Sequence, residues 1–225
     1  MNPRPPALSV VVVAYGMQRE LPRTLRSLAT PYQRGIAAED YEIVVVDNGS
    51  PQPVMPPDDC GASIRVHRID DASASPARAA NVGIELARGA LIGLVIDGAR
   101  MASPGLLAGA LVADRIAPRS VVTAPAWHLG PDLQAGAETT GYDQTTEDAL
   151  LAEAAWQDDG YELFSIATPA ASSGRGLFGA MGESSSLFLR RALWTELGAL
   201  DERFALPGGG LVNHDLYRRA CELPE

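Results

Sequence analysis

Residues Leu8–Ala14 form a run that is apolar except at Ser9 and rich in valine, and this run limits the possible folds more than any other part of the chain. A strand without alternating polar positions is buried on both faces, as in parallel sheets that are covered by helices. Similar runs at Tyr41–Val46 and Leu91–Ile96 are separated by segments with helical periodicity. This alternation predicts an α/β fold with a mostly parallel central sheet and helices on both faces.

The periodic segments between these strands predict two helices. Leu21, Leu25 and Leu28 recur at spacings of four and three, which places them on one face of a helix. Residues 76–88 form the second helix, with Gly89 at its C-cap. The other predicted elements are a strand at Ile64–His67, a helix beginning at Pro104, a strand at Val121–Ala124, a helix at Glu147–Trp156, a loop at Thr168–Gly182, a strand at Ser184–Leu189, and helices at Ala192–Leu197 and Asn213–Cys221.

The composition of the 225-residue chain, with 46% hydrophobic and 20% charged residues, is typical of a globular protein. Its formal net charge of −10 disfavours nucleic acid and anionic lipid as partners. No apolar run approaches the ~20 residues of a transmembrane helix, and the N-terminus lacks a signal-peptide core. Cys60 and Cys221 form neither a disulfide framework nor a zinc motif. We therefore expect a cytoplasmic protein without a transmembrane segment.

Polar residues follow three of the predicted strands, at the edge where open α/β sheets bind their ligands. Tyr15 comes after the first strand, Asp47 opens the sequence Asp-Asn-Gly-Ser after the second, and Asp97 ends the fourth. Small neighbouring residues let a ligand approach these side chains. Asp47 can accept hydrogen bonds from a base or a ribose, and the alternative is a local Asx-type turn or a helix cap.

The order and spacing of several motifs resemble family 2 glycosyltransferases over about residues 8–222. In the first half the motifs are Val10–Tyr15, Ile43–Ser50, Ala77-Arg78 with Asn81 and Gly83, and Ala87-Arg88-Gly89 leading to Ile96-Asp97. In the second half they are Leu197-Gly198, Leu200-Asp201, Arg203-Phe204, a glycine-rich loop, and His214-Asp215-Leu216 with Arg218 or Arg219. No single motif is specific, but the ordered set is.

The resemblance implies a GT-A, Rossmann-like fold, a UDP- or GDP-sugar donor and usually a divalent metal ion. It implies one domain over residues 1–225, with a nucleotide-sugar-binding half to about residue 125 and an acceptor-binding half from about residue 126. Asp215 matches the carboxylate that deprotonates the acceptor hydroxyl, in an inverting transfer to a glycan, lipid or small molecule. The donor-binding residues expected from the match and its chemistry are Ala14, Tyr15, Asp47, Gly49, Arg78, Asn81, Asp97 and Arg100.

Two residues depart from the family pattern. Ala99 replaces the second carboxylate of the Asp-x-Asp motif that begins at Asp97, and His214 replaces a glutamate. Hard cations need several oxygen ligands, so the loss of one weakens a metal site. Metal ligation by Asp97 and His214 would favour Mn²⁺ over Mg²⁺, because His214 supplies a nitrogen. Alternatively, Arg100 neutralises the diphosphate without a metal ion, since guanidinium pairs well with phosphate oxygens.

Each of these residues also has a local structural explanation. Arg78 and Arg100 suit solvated arginines on or near helices, and His214 suits a residue that caps the last helix. Asp215 lies in the first turn of that helix, where the helix dipole stabilises a carboxylate in any case.

The sequence leaves one rival function of a different class. A degenerate GT-A module that binds a nucleotide, a sugar or a partner protein without catalysis also accounts for Ala99. The motifs of a dinucleotide-dependent oxidoreductase and of a Ser-His-Asp hydrolase are absent. In the less regular second half, the candidate acceptor contacts are Trp127, His128, Gln134, Tyr142, Trp156 and Tyr161. The alternative for each of them alone is an ordinary place in the core or at an interface.

Overall fold

The computed structural model describes residues 4–95, 98–131, 141–174 and 186–224. The chain divides into two compact units. Met1–Thr123 and Ser185–Glu225 form the larger one, which we call the sheet unit, and Ala124–Ser184 form the middle unit. The assignment of donor binding to residues before about 125 and of acceptor binding to later residues stays a prediction.

Most predicted elements lie within a few residues of their expected bounds. The strands are β1 Leu8–Ala14, β2 Tyr41–Asp47, β3 Ser63–Arg68, β4 Leu91–Val95, β5 Val122–Thr123, β6 Trp127–Leu129, β7 Ala167–Pro169 and β8 Ser186–Arg190. The α-helices are α1 Leu21–Leu28, α2 Ala77–Leu86, α3 Leu106–Asp114, α4 Gln144–Glu153, α5 Arg191–Leu197 and α6 Val212–Cys221. Short 3-10 segments occur at Ala38–Asp40, Gly160–Ile166, Ala171–Ser173 and Pro207–Gly209.

Among the described residues, six strands form one sheet in the order β3-β2-β1-β4-β8-β5. β1 pairs in parallel with β2 and β4, and β2 pairs in parallel with β3. β8 runs antiparallel to both β4 and β5, and Thr123 of β5 lies opposite Leu187 of β8. The predicted α/β fold with a mostly parallel central sheet is confirmed.

Helices cover the sheet on both faces, as the unbroken apolar strands predict. Successive side chains of a strand point to opposite faces. Val10 and Val12 of β1 belong to a buried cluster with α1 and α3, whereas Val11 packs against Gly83 of α2. The α1 residues in that cluster are Leu21, Leu25 and Leu28, each at most 2% exposed.

The prediction that Gly89 caps α2 is wrong, because the helix ends at Leu86 and its C-cap is Ala87. Glycine is required at position 89 for another reason. A Cβ at this position would lie 2.5 Å from the backbone nitrogen of Ser9 and 2.6 Å from the carbonyl carbon of Leu8. The turn between α2 and β4 therefore packs directly against the start of β1.

A buried carboxylate near the start of β2 holds this turn in place. Glu42 Oε1 accepts hydrogen bonds from the Ser9 hydroxyl and from the backbone N–H of Arg88, both at 2.7 Å. Arg65 of β3 donates to Glu42 Oε2 at 2.9 Å. Glu42 is 3% exposed, and both of its oxygens accept hydrogen bonds. Its buried charge is therefore compensated.

The middle unit contains two elements that the sequence analysis did not predict. β6 and β7 form an antiparallel pair, and β7 overlaps the loop expected at Thr168–Gly182. Each strand has three residues, too few for a period of two to be recognised. α4 begins earlier than expected because the Asp143 side chain caps it, accepting from the Thr146 N–H at 2.8 Å.

No helix in the described ranges is both long enough and apolar enough to cross a membrane.

Gly83→Ala tests the contact between α2 and the sheet. The added methyl group would meet Val11 at 2.2 Å and Val46 at 3.1 Å, so we expect the free energy of unfolding to fall by about 1–3 kcal/mol. Gly109→Ala is the matched control, since Gly109 also lies in a helix but has nothing within 4 Å of the added atom. That variant should keep its stability or gain up to about 1 kcal/mol. Equal urea midpoints for the two variants would contradict the packing described above.

Candidate functional site

The carboxyl ends of β1, β2 and β3 meet at one edge of the sheet. Ala14 of β1 lies opposite Asp47 of β2, and Asp47 lies opposite Arg68 of β3. Open α/β sheets bind their ligands at this edge. The fold therefore brings together four of the predicted donor-binding residues, namely Ala14, Tyr15, Asp47 and Gly49.

The Asp47 carboxylate holds the turn that follows β2. Its Oδ1 accepts from the Ser50 backbone N–H at 2.8 Å, and its Oδ2 accepts from the Val54 N–H at 3.3 Å and from Arg68 Nη1 at 2.7 Å. Burial alone would raise the pKa of Asp47, but the hydrogen bonds from Ser50, Val54 and Arg68 outweigh it and hold this pKa below its ordinary value. Since Asp47 is 1% exposed, its carboxylate offers a ligand almost no surface.

Two hydrogen bonds join this turn to the residues after β1. The Asn48 N–H donates to the Ala14 carbonyl at 2.9 Å, and the Gly16 N–H donates to the Ser50 hydroxyl at 3.0 Å. Gly49 has a φ of 76°, and a Cβ there would lie 2.6 Å from the Cβ of Ala72. Glycine is therefore needed at position 49 both for the left-handed backbone and for the close approach.

Tyr15 is the most exposed side chain at this edge, and Asn48 is the one with an unsatisfied polar atom. Tyr15 is 59% exposed, although it follows a fully buried strand. Asn48 is 6% exposed and donates from Nδ2 to the Ser73 carbonyl at 2.9 Å. Its Oδ1 is buried and has no hydrogen-bond partner among the described residues. A buried acceptor without a donor is costly, so this oxygen calls for a donor from an ordered water or from a ligand that displaces the atoms covering it.

Asn48 was not among the predicted site residues. The charged Asp47 beside it is the stronger chemical signal in the sequence Asp-Asn-Gly-Ser. Two adjacent polar residues after a buried strand are the sequence pattern that could have indicated Asn48. One of the two side chains can hold the turn, and the other is then available to a ligand.

Arg78 and Asn81 of α2 are engaged within the sheet unit. Arg78 Nη1 donates to Asp71 Oδ2 at 3.2 Å. Asn81 accepts from the Leu200 N–H at 3.0 Å and donates to the Leu200 carbonyl and to Glu202 Oε1, both at 2.9 Å. Asn81 thus joins α2 to the segment that leads into α6, and a direct contact of Arg78 or Asn81 with a donor stays a prediction.

Asp97 lies outside the described residues, so its donor and metal contacts stay predictions. Gly98, which follows it, is held by Thr24 of α1, whose hydroxyl donates to the Gly98 carbonyl at 2.6 Å. A Cβ on Gly98 would lie 3.1 Å from the Cβ of Ala14, so this segment packs against the end of β1. Arg100 is half-buried two residues further on.

Asp215 lies in the first turn of α6, and two arginines of the same helix hold its carboxylate. Arg219 Nε donates to it at 2.7 Å and Arg218 Nη2 at 3.2 Å. Arg219 also donates to the carbonyl oxygens of Leu197 and Ala199, which fixes α6 against the end of α5. The Asp215 side chain remains 14% exposed, enough for contact with solvent or an acceptor.

The glycine-rich segment before α6 adjoins the start of α2. Gly208, Gly209 and Gly210 have φ values of 73°, 77° and 54°, a region that glycine enters without strain. A Cβ on Gly209 would lie 3.3 Å from Pro76, the residue that precedes α2. Together with Asn81, this contact fixes α2 relative to the segment that carries His214 and Asp215.

His214 is half-buried, and its Nε2 is buried with no hydrogen-bond partner in the described ranges. Such a nitrogen can bind a ligand or a metal ion. However, the described residues bring no three His, Cys, Asp or Glu side chains together in a group that could hold a metal ion. They do not by themselves fit Mn²⁺ or Mg²⁺, and ligation by Asp97 and His214 stays a prediction.

Asp47→Asn tests whether the carboxylate holds the turn. At pH 7 we expect a loss of about 1–3 kcal/mol in the free energy of unfolding, because one oxygen and its charge are removed. The pKa of Asp47 is lowered in the folded protein, so its contribution is present above the ordinary value of 3.8 and is lost as the pH falls through the lower folded value. Urea unfolding from pH 7 towards pH 2 should show a gap between wild type and variant that narrows in acid.

Asp70→Asn is the control for this experiment. Asp70 also pairs with Arg68, at 3.2 Å, but its side chain is 93% exposed. Its removal should change stability by less than about 1 kcal/mol. A gap for Asp47→Asn that stays constant with pH would show that the charge of Asp47 does not stabilise the turn.

No family model and no curated protein sequence matches this chain. Solved structures match it by fold. S. aureus TarS 1-349 in complex with UDP has a TM-score of 0.58 and 17% identity, over 94% of this chain and 55% of that chain. S. aureus TarS in a longer form has a TM-score of 0.59 and 16% identity, over 94% and 33%. The mannosyltransferase PcManGT from Pyrobaculum calidifontis, in complex with GDP-Man and Mn2+, has a TM-score of 0.50 and 15% identity, over 92% and 50%.

This chain spans about half the length of the TarS 1-349 and PcManGT chains. At 15–17% identity, the likeness is evidence of fold alone. The GT-A-like fold expected from the sequence, a mostly parallel α/β sheet flanked by helices, is the fold that this chain shares with TarS and with a mannosyltransferase.

Proposed function

We propose that this protein is a glycosyltransferase that binds a nucleoside-diphosphate sugar at the carboxyl edge of β1 and β2 and transfers the sugar to an acceptor hydroxyl. One observation carries the proposal. An exposed aromatic ring, Tyr15, lies at this edge with the buried Oδ1 of Asn48, which has no partner among the described residues. A nucleobase needs a surface for stacking and a polar group that reads its edge. Tyr15 supplies the surface, and Asn48 Oδ1 supplies the polar group once the atoms that cover it move aside.

Asn48 suits the recognition of a base by its hydrogen-bonding edge. Ser73 engages the amide nitrogen of Asn48, so the oxygen that remains is an acceptor. Uracil and guanine both present an imino N–H that donates to such an oxygen. Tyr15 offers a π face to either base, since stacking on an aromatic ring is tolerant of base identity. The pair therefore suits UDP and GDP alike.

Asp47 supports donor binding through the turn rather than by direct contact. Its two oxygens are bonded to Ser50, Val54 and Arg68, and the residue is 1% exposed. These bonds fix the backbone of the turn and hence the position of the Asn48 amide. In this proposal Asp47 positions the residue that contacts the base, and Gly49 lets the turn close.

The diphosphate of the donor needs positive charge near the segment after β4. Arg100 in this segment supplies a guanidinium, and Asp97 with His214 offers the alternative of Mn²⁺ or Mg²⁺. Two TarS 1-349 structures hold UDP and UDP-GlcNAc, and the PcManGT structure holds GDP-Man and Mn2+. These ligands support a UDP- or GDP-sugar as the donor of this chain.

Asp215 is the proposed general base. In an inverting displacement the acceptor oxygen attacks the anomeric carbon, the bond from that carbon to the diphosphate oxygen breaks, and the hydroxyl proton passes to a carboxylate. Arg218 and Arg219 hold the Asp215 carboxylate, and 14% of its side chain is exposed. His214, with its unpaired buried Nε2 in the described structure, is the second catalytic candidate.

A non-catalytic module that binds a nucleotide or sugar is the second candidate function. Ala99 stands where family 2 enzymes have a carboxylate, and both oxygens of Asp215 are bonded to arginines. Such a module would bind a nucleotide through Tyr15 and Asn48 and would show no turnover. Binding and turnover therefore have to be measured separately.

Calorimetric titration with UDP and with GDP tests donor binding. We expect Tyr15→Ala to weaken the binding of the preferred nucleotide by roughly tenfold or more, because stacking on an aromatic ring contributes about 1–3 kcal/mol per base. Tyr15→Phe is the matched control, since it keeps the ring and should bind like the wild type. The proposed donor site is wrong if neither UDP nor GDP binds the wild-type protein.

The same titration in Mn²⁺ and in a chelator separates the two ways to neutralise the diphosphate. Binding that requires Mn²⁺ supports a metal site with Asp97 and His214. Equal binding in chelator supports Arg100 in its place.

Asp215→Asn distinguishes a catalyst from a binding module. A catalyst should lose about a hundredfold or more in turnover, because a general base contributes a factor of that size, and should keep its affinity for UDP or GDP. Glu222→Gln is the control, since Glu222 is a 60% exposed carboxylate directly after the same helix and also pairs with Arg218. The measurement is release of nucleoside diphosphate from UDP-GlcNAc or GDP-mannose. Wild-type turnover no higher than that of Asp215→Asn would favour the non-catalytic module.

A further inference from the structure

Three exposed aromatic side chains of the middle unit form a continuous surface, which we call the aromatic platform. Trp127 and Phe164 meet edge to face, with ring centroids 4.9 Å apart, and Tyr161 stacks near Phe164 at 6.4 Å. Trp127 is 39% exposed, Tyr161 46% and Phe164 41%. Large rings that remain exposed and adjacent in a folded unit indicate a surface that another molecule covers.

The aromatic platform is distinct from the core of the middle unit. Trp156 and Leu163 are at most 8% exposed and fill the interior. Trp127 is fixed on β6 opposite Pro169, and the segment with Tyr161 is capped by Asp159, which accepts from the Tyr161 N–H at 3.2 Å. Strand pairing and this hydrogen bond therefore fix the backbone segments that carry Trp127 and Tyr161.

The middle unit, which carries the platform, is strongly acidic. The middle unit contains ten Asp and Glu residues and one Arg, so it carries −9 of the formal −10 of the chain. Within residues 124–131 and 141–174, the parts of this unit that the structure describes, seven carboxylates occur without any Lys or Arg. Such a field repels phosphate, sulfate and carboxylate groups on a ligand.

We propose that the aromatic platform binds the acceptor as a carbohydrate chain that bears no negative charge. This inference rests on the proposed glycosyltransferase function and names the acceptor class for it. A sugar ring has an apolar C–H face that packs on an aromatic ring and hydroxyl groups at its rim. Carboxylates near the platform, such as Glu162 and Asp158, are acceptors for those hydroxyls. Uncharged and amine-bearing glycans fit this surface, and anionic polymers do not.

The negative charge of the middle unit also argues against two other classes of ligand that bind exposed aromatic rings. Single-stranded nucleic acids stack on aromatic residues but require a positively charged groove. Membrane surfaces that carry anionic lipids attract basic residues in the same way. Either partner needs basic residues, whereas the unit that carries the platform has an excess of acidic ones.

Tryptophan fluorescence measures occupancy of the platform directly. Of the three tryptophans, Trp156 is 3% and Trp194 1% exposed, so a ligand-induced change reports on Trp127. The probes are hexasaccharides of glucose, mannose, N-acetylglucosamine and glucosamine, with a galacturonate hexamer as the anionic counterpart. We expect a saturable change with at least one of the first four and none with galacturonate at the same concentration.

Substitution of Phe164 ties this signal to the platform. Phe164→Ala should raise the Kd for the bound hexasaccharide by roughly tenfold or more, because it removes the ring that contacts both neighbours. Phe164→Tyr keeps the ring and should restore binding. Ile116→Ala, at an 84% exposed apolar residue of the sheet unit, is the control and should leave glycan binding unchanged.

The outcomes separate this inference from the proposed donor site, since UDP and GDP binding is measured without any glycan. Absence of a saturable change with all four uncharged or amine-bearing probes overturns the inference, even where UDP or GDP binds. Equal or tighter binding of the galacturonate hexamer also overturns it. A wild-type dimer in sedimentation that Phe164→Ala dissociates would show that the platform joins two protein copies, which overturns it as well.

Discussion

The buried carboxylate of Asp47 is the interaction on which the candidate site depends. A charge removed from water at the end of β2 persists because Ser50, Val54 and Arg68 all donate to it. The same bonds fix the turn that contains Asn48. The amide oxygen of Asn48 has no hydrogen-bond partner among the described residues. Glu42 performs the corresponding task at the opposite end of β2, where it holds the turn before β4. Two buried carboxylates of β2, one near each end of the strand, thus hold the turns at the two ends of the parallel strands.

Much of the sheet unit could be predicted from the sequence, because burial on both faces leaves a periodic or continuous apolar signal. Leu8–Ala14 and the three leucines of α1 are examples. Contacts between distant segments leave no such signal, which is why Gly89 was assigned to a helix cap and not to its contact with Ser9. At the site, the turn at Asp47 could be predicted from the sequence. The sequence did not show that the Asp47 carboxylate bonds within the turn while Asn48 keeps an oxygen without a partner among the described residues. Whether a carboxylate faces its own backbone or a ligand depends on partners such as Arg68, which is 21 residues away.

The two units differ in net charge. Outside the middle unit, the remaining eighteen acidic residues are nearly balanced by seventeen arginines. A doubly charged diphosphate therefore meets little net repulsion in the sheet unit, which holds Tyr15, Asn48 and Arg100. The acidic middle unit disfavours the same group. Under the proposed function, this distribution of charge favours an anionic donor in the sheet unit and an uncharged acceptor in the middle unit.

The middle unit begins after β5 and ends before β8, and these two strands are antiparallel neighbours with Thr123 opposite Leu187. In the architecture of the sheet, residues 124–184 therefore occupy the place of a hairpin loop. Insertions between paired strand ends leave the surrounding hydrogen bonds intact, because the two attachment points are already held together. Such a segment can be lengthened, shortened or exchanged between related proteins while the carboxyl ends of β1 and β2 stay unchanged. Under the proposed function, acceptor preference would therefore reside in a segment that can be exchanged without change to the strands of the sheet.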